Sequence, residues 1–322
     1  MDGMATAEQI KSLVKAYADC NDEKFKTVVL QIAAHEARLG HDNLARDLKK
    51  QIDRVGNKRA NIVQLTSTNP MLALSMPSHD LSELIVSEDI SDKIQRILNE
   101  YRNRKKLISY GLTNRRKILI EGNPGTGKTL TASIIASELS LPLYTVQMDK
   151  LVTKFMGETS TKLRQVFDSI ESTVGVYLFD EFDAIGADRC LDNEVGEMRR
   201  ILNSFLQFIE QDNSESIIVA ATNNQKLLDQ ALFRRFDDVL HYMLPTSAEI
   251  KRLFEYKIES YDKHFSISKN VVNAAEGLSH AEIARVCDDA IKNSILDDEP
   301  ITSKAVIALL SERHNVYSCK EA

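Results

Sequence analysis

Apolar residues recur at helical spacing from the start of the chain. Ile10, Leu13, Val14 and Tyr17 form one stripe, Phe25, Val28, Val29 and Ile32 a second, and Leu44, Leu48 and Ile52 a third. Asn21-Asp22 offers a cap for the second stripe, Gly40 can end it, and the third closes near Gly56. Residues 1–56 therefore read as an N-terminal helical bundle. Residues 57–80, with Asn69-Pro70 and Met76-Pro77, keep no sustained period and read as a linker. From residue 81 the period changes. Short apolar runs at 117–121, 143–146, 174–180, 217–222 and 238–243 are separated by helical stretches. That alternation predicts an α/β domain over 81–245, with a parallel five-stranded sheet covered on both faces. After Pro245 the strands stop. Thr246-x-x-Glu249 and Ser279-x-x-Glu282 are capping boxes, and Ile250, Leu253, Phe254 and Ile258 give one helical stripe, so 246–322 reads as a small helical domain.

Composition narrows the class. Hydrophobic residues make up 43% and charged residues 27% of 322, as in soluble globular proteins. No apolar run approaches the ~20 residues needed to cross a bilayer, and the acidic, apolar-poor start is not a secretory signal. Cys20, Cys190, Cys287 and Cys319 lie far apart without a CxxC pair, which argues for a reducing compartment and against structural zinc. A cytoplasmic protein with no membrane partner is expected. The net charge of −6 gives no bulk attraction for polyanions.

The strongest chemical signal is Gly122-Asn123-Pro124-Gly125-Thr126-Gly127-Lys128-Thr129, a complete P-loop between a predicted strand and a predicted helix. Its glycines let backbone N–H groups turn toward phosphate oxygens, and the helix points its positive end at them. Lys128 adds a point charge near the β- and γ-phosphates, and the Thr129 hydroxyl suits magnesium. The second signal is Val176-Tyr177-Leu178-Phe179-Asp180-Glu181, a buried strand ending in two acids. Such acids sit at the carboxyl edge of the sheet, where open α/β sheets bind ligands. Asp180 suits magnesium, and Glu181 suits a base that polarises water.

With both signals in place, residues 83–300 resemble the AAA ATPase family. The resemblance implies ATP and Mg2+ as cofactors, with nucleotide contacts from the P-loop through Leu130 and from Asp180, His280 and Ala281. Ile217-Ile218-Val219-Ala220-Ala221-Thr222-Asn223 is similar to the strand ending in the sensor-1 asparagine, which would make Asn223 catalytic. Leu228-Asp229-Gln230-Ala231-Leu232-Phe233-Arg234-Arg235-Phe236-Asp237 is similar to the arginine-finger segment. One of Arg234 and Arg235 would reach a neighbouring subunit's ATP, and the other could pair with an acid such as Asp237. Lys154-Phe155-Met156-Gly157-Glu158-Thr159 resembles a first pore loop, with Phe155 and Met156 gripping an extended polypeptide. Gly277-Leu278-Ser279-His280-Ala281 resembles the sensor-2 region, with His280 where glycine is commoner.

The chain has one P-loop and no HExxH, so it looks like a short single-ring member with its own N-terminal domain. The resemblance implies a homo-oligomeric ring, six subunits by family habit, acting on a protein substrate. By analogy, a separately encoded subtilisin-like serine protease would be its partner in a defence or plasmid-maintenance locus. Two other readings stay open. A nucleotide-timed scaffold needs no threaded substrate. A nucleic-acid loader would use the basic run Lys93, Arg96, Arg102, Arg104, Lys105, Lys106, Arg115, Arg116 and Lys117, although no nucleic-acid module accompanies it and nucleic acid is not the expected partner.

Overall fold

The structure is a computed structural model that describes residues 27–30, 32–33, 69–151, 158–182, 194–223, 233–262 and 265–318, omitting the side chains of 194–200 and 316–318. The chain divides into two compact units, 1–66 and 67–322. In the first, residues 27–30 and 32–33 are helical, and Val28, Val29 and Ala33 are buried. The rest of the expected N-terminal bundle lies outside the described residues.

The second unit is built on one sheet. Its strands are β1 (Leu72–Ser75), β2 (Lys117–Gly122), β3 (Leu143–Val146), β4 (Val176–Phe179), β5 (Ile217–Thr222) and β6 (Asp238–Tyr242). They lie in the order β1-β3-β4-β5-β2-β6, all parallel except β1, which runs antiparallel to β3. The sheet therefore has six strands where the pattern predicted five. The missed strand falls within residues read as a linker. Its four residues are too few to set a period, and Pro70 and Pro77 on either side resemble loop signals. Prolines there are compatible with an edge strand, which has one side unpaired.

Alternation along the strands divides the core. Leu119, Tyr177, Phe179, Ile218 and Ala220 face α5 (Glu158–Ser172) and α6 (Glu194–Gln211), packing with Leu163, Val166, Phe167, Phe205 and Ile209. Ile118, Ile120, Val176, Leu178, Ile217 and Val219 face α1 (Glu88–Arg102) and α3 (Lys128–Leu139), packing with Ile90, Ile94, Ile97, Ile134 and Ile135. The central strands β4 and β5 are therefore apolar from Val176 to Phe179 and from Ile217 to Ala221, as expected of a sheet covered on both sides. Two short helices complete the layer, α2 (Arg104–Ser109) and α4 (Met148–Leu151).

Four helices follow β6: α7 (Ser247–Ile258), α8 (Lys269–Ala275), α9 (His280–Asp297) and α10 (Ser303–Ser318). They enclose their own core of Ile250, Phe254, Ile258, Ile283, Val286, Cys287, Val306 and Leu310. Both expected capping boxes form. Thr246 donates its N–H and hydroxyl to Glu249 Oε2 at 2.7 and 2.8 Å, and Ser279 does the same to Glu282 Oε2 at 3.1 Å. Ile85, from the segment leading into α1, joins this helical core and so ties the two domains together.

Most of the basic run is neutralised locally. Lys93 pairs with Asp89, Arg102 with Glu138, Arg104 with Glu215, Arg115 with Glu100 and Asp238, and Arg116 with the buried Asp212. Arg96, Lys105 and Lys106 stay exposed without an ion-pair partner among the described residues.

Candidate active site

The sheet topology brings the chemistry to one edge. β4, β5 and β2 are adjacent, so their carboxyl ends deliver Asp180-Glu181, Asn223 and the P-loop side by side. A cavity of about 570 Å³ opens there. Pro124 through Leu130, Asp180, Glu181 and Asn223 line one side, and Leu253, Tyr256, Lys257, His280, Ala281 and Ala284 of the helical domain line the other. Glu83, Leu84 and Ile85 close it.

The P-loop is shaped by its own sequence. Gly122, Gly125 and Gly127 have φ of 152°, 75° and 105°, conformations that L side chains rarely adopt. At Gly122 a Cβ would also stand 2.3 Å from the Tyr242 carbonyl oxygen of β6. The Lys128 ammonium is buried and donates to the Gly122 and Asn123 carbonyls, each at 2.8 Å. The Thr126 hydroxyl donates to the Asn123 carbonyl at 2.8 Å. These bonds hold the loop curled, with the amino end of α3 facing the cavity.

The Thr129 hydroxyl donates to Asp180 Oδ2 at 2.6 Å. These are the two groups whose chemistry suits magnesium. Among the described residues no cluster of three or more His, Cys, Asp or Glu side chains could hold a metal. A cation at this hydroxyl–carboxylate pair would thus take its remaining oxygens from phosphates and water, the habit of Mg2+. Glu181 is exposed to the cavity, with its N–H on Asp180 Oδ1 at 2.9 Å. Its φ of 51° is a left-handed value uncommon outside glycine, and such conformations concentrate at functional sites.

The helical domain touches the P-loop directly. Ala281 N–H donates to the Gly125 carbonyl at 2.9 Å, and a Cβ at Gly125 would lie 2.6 Å from Ser279 Oγ. Beside this contact His280 has both ring nitrogens buried without a hydrogen-bond partner. Burial pushes its pKa below the ordinary value, opposed by the nearby Glu249 carboxylate and the Ile85 backbone, which approaches the ring without hydrogen-bond geometry.

The two candidate arginines are placed differently. Neither lines the cavity. Arg235 pairs with Glu210 of α6 and reaches the Leu206 carbonyl at 3.5 Å. The acid that holds it is therefore Glu210, not Asp237. Asp237 Oδ2 instead accepts the backbone N–H groups of Arg116 and Lys117 at 2.9 Å. Arg234 is exposed and has no ion-pair partner among the described residues. Phe155 and Met156 lie outside the described residues.

Residue type alone did not reveal Leu84, Ile85, Leu253, Tyr256, Lys257 and Ala284 as cavity walls. Most are apolar, and they meet the P-loop only through the packing of two domains.

The model of the "ATPase family associated with various cellular activities (AAA)" matches residues 118–244. An uncharacterized AAA family ATPase of Sinorhizobium fredii is 35% identical over 304 residues, covering 91% of each chain. The chain belongs to the AAA ATPase family. A putative 26S proteasome regulatory subunit homolog of Methanothermobacter marburgensis is 31% identical over 64% of this chain and 55% of its own. The ATP-dependent zinc metalloprotease FtsH of Parabacteroides distasonis is 32% identical over 63% of this chain and 31% of its own. The match to these last two thus spans about half of one relative and about a third of the other. As an AAA ATPase the chain hydrolyses ATP, and no helix among its described residues is long and apolar enough to cross a membrane.

Proposed function

We propose that this AAA ATPase is a motor that works as a closed ring of identical subunits and draws a protein segment through the ring centre. The observation that carries this reading is the position of the cavity. Its phosphate-binding side belongs to the α/β domain and its opposite side to the helical domain, so a ligand bound there touches both. Losing a γ-phosphate would change how the two domains close on each other.

Each residue then has a task. Gly122, Asn123, Pro124, Gly125, Thr126 and Gly127 wrap the phosphates, and Lys128 turns from its carbonyl partners to the β- and γ-phosphates. Thr129 and Asp180 hold Mg2+, which when bound offsets phosphate charge. Leu130, His280 and Ala281 border the nucleoside. Glu181 takes a proton from the attacking water, and Asn223 orients that water. Arg234 is the finger offered to the next subunit, while Arg235 is a positioning residue that fixes the segment to α6 through Glu210. Phe155 and Met156 grip the substrate.

The names of two relatives, a proteasome regulatory subunit homolog and an ATP-dependent metalloprotease, support a polypeptide substrate and a link to proteolysis. A separately encoded serine protease would receive the threaded chain here. The defence or plasmid-maintenance setting and the cytoplasmic location follow from the resemblance alone.

The test compares ATPase rates with and without casein, a protein that lacks stable structure. A threading motor should be stimulated by it, and Phe155→Ala should lose that stimulation. Equal stimulation of Phe155→Ala and the parent protein would sink the threading role.

A further inference from the structure

We propose that Tyr242 is a positioning residue of the phosphate site: acting through Thr131, its hydroxyl fixes the peptide that opens α3. The inference rests on the P-loop being the phosphate site, and it adds two hydroxyls from outside that motif.

Tyr242 ends β6, in register with Gly122 of β2. It touches both ends of the P-loop. Its backbone packs on Gly122 so closely that a Cβ there would meet the Tyr242 carbonyl oxygen at 2.3 Å. Its ring lies against Gly127, 3.8 Å from where a Cβ would stand. Its hydroxyl bonds the Thr131 hydroxyl, one turn into α3.

Tyr242 belongs to the apolar core of Ile120, Ile135 and Leu240, and Thr131 is buried beside it. A buried hydroxyl costs stability unless it is bonded, so the direction of each bond matters. Thr131 has one hydroxyl proton, and the Gly127 carbonyl, 2.9 Å from its oxygen, can only accept. Thr131 therefore donates to Gly127, and Tyr242 donates to Thr131. The reverse order would strand the tyrosine proton and set the lone pairs of two oxygens against each other. Burial pushes the pKa of Tyr242 up, so the proton is present at neutral pH.

The far end of this relay bears on phosphate binding. The Gly127 carbonyl also accepts the Thr131 backbone N–H at 2.9 Å, so two donors of one residue hold it. A peptide unit is planar and trans. A carbonyl held along the helix thus directs the N–H of the same unit, that of Lys128, the opposite way, out of the amino end of α3 toward the cavity. An N–H aimed there is what a helix start offers to phosphate oxygens. Gly127, at φ 105°, has no side chain to steady that unit. Tyr242 is also the last strand residue before 243–246 lead to the Thr246 cap of α7. The relay therefore anchors the loop to the strand from which the chain crosses into the helical domain.

The experiment measures ADP affinity by calorimetry, and kcat and KM for ATP, on the full chain with Mg2+. Tyr242→Phe keeps the ring and loses only the hydroxyl. It should weaken ADP binding and raise KM about three- to tenfold, the worth of one hydrogen bond. Because the N–H holds ground and transition states alike, kcat should stay within about twofold of the parent. Thr131→Val should weaken binding at least as much, and Thr131→Ser should bind like the parent. Adding Tyr242→Phe to Thr131→Val should cost nothing further, since the two act in series. A merely structural role would lower the melting temperature and leave the affinity of the folded protein as it was. Lys128→Ala is the control and should lose ADP binding. If it does, but Tyr242→Phe binds like the parent or the losses add in the double variant, the relay has no such role and the phosphate site stands. If Lys128→Ala binds ADP normally, the phosphate site is elsewhere and both fall.

Discussion

His280 shows how one side chain can connect chemistry to stability. The ring lies near Glu249 at the start of α7 and the Ile85 backbone of the approach segment. Burial lowers its pKa in the folded state below the 6.5 of the free side chain. The unfolded chain therefore binds the proton more readily. Stability is full above the unfolded value and falls as pH drops below about 6.5 toward the folded value. His280→Gln cannot titrate, so its stability should fall less than the parent's between pH 7 and 5. Urea unfolding at several pH values would show it, and parallel curves would mean that His280 does not carry the effect.

At the scale of elements, caps and crossings decide what stays in place. Thr246 begins α7 and satisfies the buried Glu249 twice, through its N–H and its hydroxyl. Thr246→Ala removes one donor from that carboxylate and should cost about 0.5–2 kcal/mol. Hydrogen exchange at α7 amides should accelerate accordingly, and unchanged protection would show that the backbone donor suffices. This cap was legible in the sequence because a capping box is local, four residues that satisfy one another. The P-loop and the buried strand before Asp180 were legible for the same reason. β1 was not, because Leu72–Ser75 becomes a strand only through β3, which lies about 70 residues further along the chain. The apolar cavity walls depend likewise on how α7 and α9 approach the P-loop. The division between Arg234 and Arg235 was hidden because Glu210 lies 25 residues from Arg235 in sequence and meets it only across α6.

At the scale of the whole molecule that division predicts a collective behaviour. Each seam would need Glu181 from the subunit that holds ATP and Arg234 from the next one. Glu181→Gln loses the base, with an expected fall of ~10²–10⁴ in turnover. Arg234→Ala loses the finger, with an expected fall of ~10³–10⁵. Each variant alone leaves every seam incomplete. Mixed in equal amounts and reassembled, about one seam in four would pair an Arg234→Ala subunit, which keeps Glu181, with a Glu181→Gln subunit, which keeps Arg234. Hydrolysis should then rise to roughly a quarter of the parental rate if seams act independently, far above either variant alone. No recovery would mean that the arginine serves its own subunit or that no ring forms. Near-normal hydrolysis by Arg234→Ala on its own would move the finger to Arg235, and Glu210 would then have to release that side chain each time a neighbour's ATP arrives.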